Sequence, residues 1–241
     1  MNSISPASNA RPKQQTHTLR IKFGKLGSLT YISHLDLMRT MTKLLVRADL
    51  PLAYSEGFNP IPRMTFSPPL SLGISSSCEL LDVKLCGERD DAALYGFGEA
   101  LRRVFPQEIP IYDVYFPNSD LSKIAFASYN ITFTSPAVDA EAVARVREFM
   151  SQSKINIMKK TKGGIKEVDI APLIRFSNTS ESQGRICVTC TLGASSDSFL
   201  NPILLANPIF EQTGLSSGRE DVEYYEIEKL AMYDSHLNHF R

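Results

Sequence analysis

The sequence predicts an α+β fold in which two tandem ferredoxin-like sandwiches follow one another along the chain. Apolar and polar side chains alternate over several short segments, which is typical of half-buried strands, and amphipathic segments of helical period separate them. The order β-α-β-β-α-β occurs in the first half and recurs less regularly in the second, with no residue-level repeat. The 241 residues are therefore expected to form a disordered lead-in over 1–16, a first domain over 17–120 and a second over 121–241.

The first half begins with a clear strand and a clear helix. Apolar side chains over 18–23 alternate with Arg20 and Lys22, which predicts a half-buried strand. Ser33 is followed three positions later by Asp36, a spacing typical of the first turn of a helix. The predicted elements that follow are this helix to about residue 49, strands over 64–67 and 79–85, a helix over 90–104 and a strand over 109–116.

The second half repeats the order with weaker signals. Alternation over 124–135 predicts a strand, and Asp139 and Glu141 suit the N-terminal end of a helix over 138–151. Two strands, over 154–160 and 166–176, are expected to meet at a hairpin turn of Lys162, Gly163 and Gly164. A strand over 185–192, a weak helix over 201–210 and a closing element over 222–233 complete the prediction.

Composition and charge exclude several classes of protein. Hydrophobic residues make up 43% of the chain and charged residues 22%, which is typical of globular proteins. No apolar run approaches the roughly 20 residues of a membrane span, no signal peptide precedes the first strand, and only four cysteines occur, so a cytoplasmic protein is expected. The 26 basic and 26 acidic residues cancel, but basic residues concentrate in 1–48 and 154–166. These regions are compatible with a nucleic-acid surface and also with ordinary solvated surface.

His34 is the best single candidate for chemistry. It lies at the predicted start of the first helix, with Tyr31 and Ser33 just before it and Arg39 and Lys43 one and two turns later. A neutral imidazole could accept a proton from a ribose 2′-hydroxyl, and the nearby cations could stabilise a transition-state phosphate. The alternative is a histidine at the first turn of the helix that only pins the incoming strand through hydrogen bonds.

A proline-rich segment over 57–73 is the second candidate. Its prolines restrict the backbone and so lower the entropy that is lost when the segment meets a partner. Phe58 and Phe66 could stack on the bases of a single strand, with Asn59 and Arg63 accessible beside them. The alternative is that both rings turn inward and that the prolines only shape a connection.

The lysine-rich turn near 159–164 is the third candidate, because a flexible basic tip can reach a phosphate backbone or can simply aid solubility. Cys187 and Cys190 lie three apart in a predicted strand and so point to opposite faces of it, and neither a metal nor a cofactor is expected. The predicted binding residues are Tyr31, Ser33, Asp36, Arg39, Lys43, Tyr54, Phe58, Asn59, Arg63, Phe66, Lys160 and Lys162, with His34 as the catalytic candidate.

Four runs of residues carry a resemblance to a known family. They are Tyr-Ile-Ser-His-Leu-Asp-Leu-Met-Arg over 31–39, Leu-Pro-Leu-Ala-Tyr-Ser and Gly-Phe-Asn-Pro within 50–60, and Phe-Ser-Pro-Pro-Leu-Ser-Leu-Gly over 66–73. These motifs resemble the radical-SAM-linked proteins, a bacterial domain of unknown function (DUF2344) found beside or fused behind a radical SAM enzyme. Where that family usually has Gly-Phe-Asn-Pro-His-Pro, this chain has Ile61 in place of the histidine.

The resemblance implies that this chain is the accessory of a separate radical SAM polypeptide. Its cysteines, Cys78, Cys86, Cys187 and Cys190, contain no closely spaced triplet that could hold a [4Fe–4S] cluster. The first hypothesis is an RNA-binding or substrate-presenting module for that enzyme, without turnover of its own, in modification of structured or single-stranded RNA. The second is a metal-independent endoribonuclease that uses His34, similar to the CRISPR repeat-processing endoribonucleases. The third is a protein–protein adaptor, or a binder of a small substrate, for the same partner.

Overall fold

A computed structural model describes residues 15–161, 164–219 and 221–241. Nearly all of the predicted lead-in therefore lies outside the described residues, as do Lys162 and Gly163 of the predicted turn. The strands are β1 (Thr16–Lys25), β2 (Met64–Phe66), β3 (Ile74–Cys86), β4 (Ile111–Tyr115), β5 (Phe126–Thr134), β6 (Asn156–Thr161), β7 (Gly164–Asp169), β8 (Ile174–Ser182), β9 (Arg185–Gly193) and β10 (Tyr224–Tyr233). The helices are α1 (His34–Arg47), α2 (Leu94–Val104), α3 (Ala140–Met150) and α4 (Ile203–Gln212).

Eight of these strands form one large sheet, which confirms the predicted mixed α+β class. The strand order is β4-β1-β3-β10-β5-β9-β8, with β2 paired to β3, while β6 and β7 form a separate hairpin. Neighbours run antiparallel except for β10 and β3, which are parallel where Ile227–Lys229 meets Ile74–Ser76. This pairing joins the two halves into a continuous sheet, a connection that the sequence did not predict.

Helix α1 forms where the sequence predicts it. The Ser33 hydroxyl accepts a hydrogen bond from the Asp36 backbone N–H at 3.1 Å, which satisfies one of the free donors of the first turn. One face of the helix, including Leu37, Met41 and Leu45, is buried against the sheet of the first half. A separate apolar core lies in the second half around α3, α4, β5 and β9. The first core holds α1 and the second core holds the loops of the second half. These elements therefore lie on either side of the junction between the halves, where β10 pairs with β3.

Ionised side chains are buried at this junction. Arg20 of β1 is fully buried, and its guanidinium contacts the carboxylate of Asp82 through two hydrogen bonds of 2.6 and 2.8 Å. It also donates to the main-chain carbonyls of Ser119 and Arg241. These contacts hold the connecting segment, residues 116–125 between β4 and β5, against β1 and β3.

Several predicted boundaries need correction, and one predicted strand is wrong. The residues predicted as a single strand over 166–176 form β7 and the start of β8, separated by a short 3-10 turn, Ala171–Leu173. Pro172 in this turn lacks an amide hydrogen and so interrupts the sheet pairing. The rest of β8 is an exposed edge rich in serine and threonine, which gives no apolar alternation to read.

Helix α4 is displaced by two residues from the predicted range 201–210, and it accommodates Pro208 near its C-terminal end. Strand β3 begins five residues before the predicted start at Glu79, and the first three of its residues, Ile74–Ser76, pair with β10. Within the described part of the chain, no helix combines the length and apolar character needed to cross a lipid bilayer.

Candidate functional site

A cleft of about 620 Å³ lies between the two halves. The first half contributes α1 and β2, and the second contributes the loop that follows β9, with the connecting segment around Asp120 between them. Its walls are largely apolar, and the side chains that form them are Met38, Met64, Phe66, Pro68, Pro69 and Phe199. His34, Asp120, Ser122, Ser195 and Ser196 add polar groups to this surface.

His34 lies in this cleft because it is the first residue of α1. Met38, one turn later on the same face of the helix, lines the cleft with it. The imidazole packs edge-on against the Phe66 ring, with 5.3 Å between ring centroids and 80° between the planes. Among the described residues it makes no hydrogen bond, so the ring is held by packing and its nitrogens are left for solvent or a ligand. The alternative prediction, a histidine that pins the incoming strand through hydrogen bonds, finds no such bond among the described residues.

The two predicted stacking phenylalanines lie in different environments. Phe66 is half-buried, because it packs edge-on against Phe23 of the core with a centroid separation of 6.5 Å as well as against His34. Phe58 is fully exposed, at the tip of a loop closed by a hydrogen bond from the Ser55 N–H to the Ile61 carbonyl. Asn59 beside it is also exposed. Phe66 is thus a wall of the cleft, while Phe58 projects from the surface.

A second cleft, of about 370 Å³, adjoins the first and contains the predicted Arg63. Met64, Thr65, Asp120 and Leu121 line both clefts, so β2 and the connecting segment form their common wall. The second cleft also contains Ile61 and Lys84, whose ammonium donates to the Thr18 hydroxyl at 2.6 Å. Arg63 and Lys84 make this cleft cationic on one side.

Other predicted residues lie outside the clefts. Asp36 accepts a hydrogen bond from the Ser33 hydroxyl at 2.7 Å and pairs with Arg39 at 3.3 Å, so these three form the surface of the first helical turns. Arg39 and Lys43 are exposed and line none of the clefts described here. Tyr31 is 75% exposed.

Tyr54 is 46% exposed and pairs through a β-bridge with Pro62, at the base of the loop that carries Phe58. Lys162 lies outside the described residues, and for Lys160 only the backbone is described, in β6. No described residue of β6 or β7 lines the two clefts. The structure therefore places His34 and Phe66 in the first cleft and Arg63 in the second, and it leaves Tyr31, Ser33, Asp36, Arg39, Lys43, Tyr54, Phe58 and Asn59 outside both.

Sequence reasoning missed the residues that the second half and the connecting segment contribute. Asp120 accepts a hydrogen bond from the Ser122 N–H at 2.8 Å, and the hydrogen bonds from Ser122 lower the pKa of this carboxyl below its usual range. Asp120 is thus a charged acceptor at neutral pH. Asp120 lies at the predicted boundary between the two domains, and this position is the one feature of the sequence that could have singled it out.

The loop over 194–199 is shaped by close contacts that only a particular sequence allows. A Cβ on Gly193 would come within 1.9 Å of the Ser198 carbonyl oxygen, so only glycine permits the chain to turn back here. The Ser195 and Ser198 hydroxyls lie 2.8 Å apart and fix the turn. Beyond it, the Asn201 amide donates to the Ser71 hydroxyl at 2.9 Å, which ties this loop to the first half.

The cysteines lie apart from the site. Burial raises the pKa of the Cys78 thiol to about 11 and that of Cys190 to about 12, so both are protonated and unreactive at neutral pH. Cys187 is half-buried and points to the other face of β9, as the spacing predicts. Within the described residues, no group of three or more histidine, cysteine or acidic side chains is arranged to hold a metal ion.

The chemistry of the joined clefts follows from these contacts. An apolar slot with an imidazole, a charged carboxylate and several hydroxyls suits a flat ligand with hydrogen-bonding edges. In the adjoining cleft, which Asp82 and Asp120 also line, Arg63 and Lys84 are the groups that suit a phosphate attached to such a ligand.

Comparison with known proteins places residues 18–202 in a match to the family described as "Uncharacterized protein conserved in bacteria (DUF2344)". No curated protein matches the chain. Among solved structures, a chain of the "Crystal Structure of a Cbf5-Nop10-Gar1 Complex" is similar over 89% of this chain and 48% of that one, with 12% sequence identity and a TM-score of 0.49. This chain thus spans about half the length of that one.

Proposed function

The chain belongs to the DUF2344 family, described as uncharacterized and conserved in bacteria, and from its clefts we propose that it is an RNA-binding module. In this proposal it binds a single-stranded stretch of RNA and presents it to a separate radical SAM enzyme for modification, without turnover of its own. The observation that carries the proposal is the apolar cleft of about 620 Å³ between the two halves, with His34 on its wall.

The first step in support concerns the base. Single-stranded RNA is recognised when an unstacked base enters a pocket, packs on apolar or aromatic surface and forms hydrogen bonds along its edge. The cleft offers apolar surface from Met64, Phe66 and Phe199 and a charged acceptor from Asp120. Its volume lies in the range of about 300–1,000 Å³ that is usual for small-molecule sites. A base fits these walls better than a phosphate, because Asp120 would repel an anion.

The second step concerns the phosphate. Arg63 is exposed in the adjoining cleft, and Lys84, whose backbone N–H donates to the Arg63 carbonyl at 2.9 Å, lines it as well. A nucleotide whose base fills the larger cleft would extend its phosphate toward these cations, since Met64 and Thr65 line both spaces. Contacts of this kind supply most of the affinity for nucleic acid and make it dependent on salt.

The finer description of the fold is part of the same proposal. The first half has the strand order β4-β1-β3-β2 and the second has β10-β5-β9-β8. In each half, therefore, the fourth, first, third and second strands of that half follow one another across the sheet. This repetition supports two ferredoxin-like units with the boundary near residues 118–123. All four cysteines are free, which supports action in a reducing cytoplasm.

The radical SAM partner rests on the resemblance of the motifs over 31–73 to the radical-SAM-linked proteins. The free cysteines of this chain are spread over the two halves, and the buried pair Cys78 and Cys190 is unavailable as thiolate. The cluster would therefore be carried by the partner chain, and this protein would contribute the RNA-binding surface.

The test is binding of the purified chain to labelled single-stranded RNA, single-stranded DNA and duplex DNA at about 50 and 200 mM salt. We expect RNA to be preferred and its affinity to fall as salt rises. Arg63→Ala should weaken binding and reduce the salt slope by about 1, as expected for one lost phosphate contact. Arg103→Ala, at an exposed arginine of α2 away from both clefts, is the matched control and should change neither.

The same samples on a denaturing gel separate the alternatives. RNA fragments that disappear with His34→Ala would replace the module by a ribonuclease. Neither binding nor cleavage, together with a stable complex with a radical SAM enzyme, would replace it by an adaptor. In the proposed module, His34→Ala leaves the RNA intact and lowers its affinity about fivefold or more, because a packing surface for the base is lost.

A further inference from the structure

A third cleft, of about 310 Å³, continues the two clefts already described. Its walls include His17 of β1, Arg89 in the loop after β3, and Phe116 and Asn118 at the start of the connecting segment. No sequence motif indicates this site, because these residues lie far apart in the chain.

The three clefts share residues and so form one groove. Thr18, Asp82 and Asp120 line both the second and the third, just as Met64 and Thr65 line both the first and the second. Asp120 lines all three. The groove therefore follows the connecting segment, from His34 and the loop of the second half at one end to Arg89 at the other.

Each part of the groove beyond the first carries a cation that is held in place. Arg89 lies with its guanidinium carbon 4.7 Å from the centroid of the Phe116 ring and with a nitrogen 2.9 Å from the Asp91 carboxylate. The aromatic ring orients the guanidinium, which remains about half exposed. Asp82, which lines the second and third clefts, is already paired with the buried Arg20 at 2.6 Å, so its charge is largely compensated.

We propose that this groove binds a single strand of about three consecutive nucleotides, one in each cleft, with Arg89 holding a phosphate at the end opposite His34. This inference rests on the proposed RNA-binding function and extends it from one base to a defined length. Asp120, at the side of all three clefts, accepts hydrogen bonds from base N–H groups or ribose 2′-hydroxyls, since a charged carboxylate repels phosphate. The 2′-hydroxyl is the group that distinguishes RNA from DNA at such a position.

The experiment measures the affinity of the full chain for oligoribonucleotides of one, two, three and five nucleotides by competition with a labelled longer strand. We expect each nucleotide up to the third to raise the affinity about fivefold or more, because each adds contacts with a further cleft. The five-nucleotide strand should gain little over the three-nucleotide strand.

Arg89→Ala tests which end of the groove the third nucleotide occupies. It should weaken the three-nucleotide strand about tenfold, as one lost charge-assisted phosphate contact does, and leave the mononucleotide unchanged. Arg89→Lys should recover part of the loss, since it keeps the charge. Arg103→Ala is the control and should leave every length unchanged, and a thermal melt of each variant checks that it is folded.

The possible failures are distinguishable. If no oligonucleotide of any length binds, the proposed function fails and the groove fails with it. If RNA binds but the affinity stops rising after the first nucleotide, the RNA-binding function stands and the groove is overturned. If Arg89→Ala weakens all lengths equally, Arg89 does not hold the distal nucleotide, and the assignment of this end is overturned.

Discussion

Arg20 shows how a single residue positions the candidate site. A fully buried guanidinium is costly unless its charge and donors are satisfied, and here Asp82 supplies the charge and two main-chain carbonyls accept the remaining hydrogen bonds. One of these carbonyls belongs to Ser119, next to Asp120. The buried pair thus holds the segment that lines all three clefts, although it does not itself face the first.

At the residue scale, we expect Asp82→Asn to lower the free energy of unfolding by about 3 kcal/mol or more, because it leaves the Arg20 charge buried without its carboxylate. Urea unfolding followed by circular dichroism measures this loss. The control is Asp113→Asn, which breaks the exposed pair with Arg241 and should cost about 0–1 kcal/mol. Equal losses in the two variants would show that the buried pair has no special role.

At the scale of elements, the local sequence is sufficient to predict some helices and strands and insufficient to predict others. Helix α1 was predictable because its cap and its apolar face are contained in one stretch of sequence. Strand β8 was not, because an exposed edge strand shows no alternation and its pairing with β9 comes from the hairpin. The parallel pairing of β10 with β3 joins residues about 150 positions apart, for which a single sequence has no local signal.

The residues of the candidate site divide in the same way, into those that the local sequence indicates and those that it does not. His34, Phe66 and Arg63 lie within one continuous region of motifs, so they could be singled out from the sequence. Asp120 and Phe199 could not, because they reach the cleft only through the way in which the two halves meet. The predicted basic hairpin, in contrast, had a strong compositional signal, yet its described residues line none of the three clefts.

The turn before β10 gives a prediction about pH. Glu223 accepts hydrogen bonds from the Ser217 hydroxyl and N–H and from the Arg219 N–H, and these bonds lower the pKa of its carboxyl below the usual 4.5. A group whose pKa is lowered on folding stabilises the fold above its unfolded value, and this contribution is lost as the pH falls through the folded value. We therefore expect the melting temperature to decrease from pH 5 downward, in part through Glu223.

Glu223→Gln should remove this part of the pH dependence. Thermal melts between pH 7 and pH 3 should show a lower melting temperature than the wild type at pH 7 and a smaller decrease toward pH 3. Glu226→Gln, at an exposed position of β10, is the control and should follow the wild-type profile. A Glu223→Gln profile parallel to that of the wild type would contradict the role given to this carboxylate.

At the scale of the whole molecule, the two halves act as one because their sheet is continuous and a buried ion pair spans the junction. Lys229 of β10 lies 2.5 Å from Glu79 of β3, and both side chains are almost fully buried. The Ser76 hydroxyl donates to the same carboxylate at 2.7 Å. The groove needs walls from both halves, so this junction is a condition for the proposed function.

Lys229→Met should lower the free energy of unfolding by about 3–5 kcal/mol, because it leaves the Glu79 carboxylate buried without its partner. The double variant Lys229→Met/Glu79→Gln should recover much of this loss, since the unpaired charge is removed as well. Urea unfolding of the two variants and the wild type checks both statements. A double variant that is less stable than the single one would contradict them.

The central claim is that single-stranded RNA lies in the groove between the two halves. The most direct measurement is photo-crosslinking of the full chain to RNA that contains 4-thiouridine, followed by identification of the crosslinked peptides by mass spectrometry. We expect crosslinks on both sides of the 620 Å³ cleft, in residues 64–69 of the first half and 194–199 of the second. Crosslinks confined to the basic segment 154–166, with none in either wall of the groove, would contradict the claim.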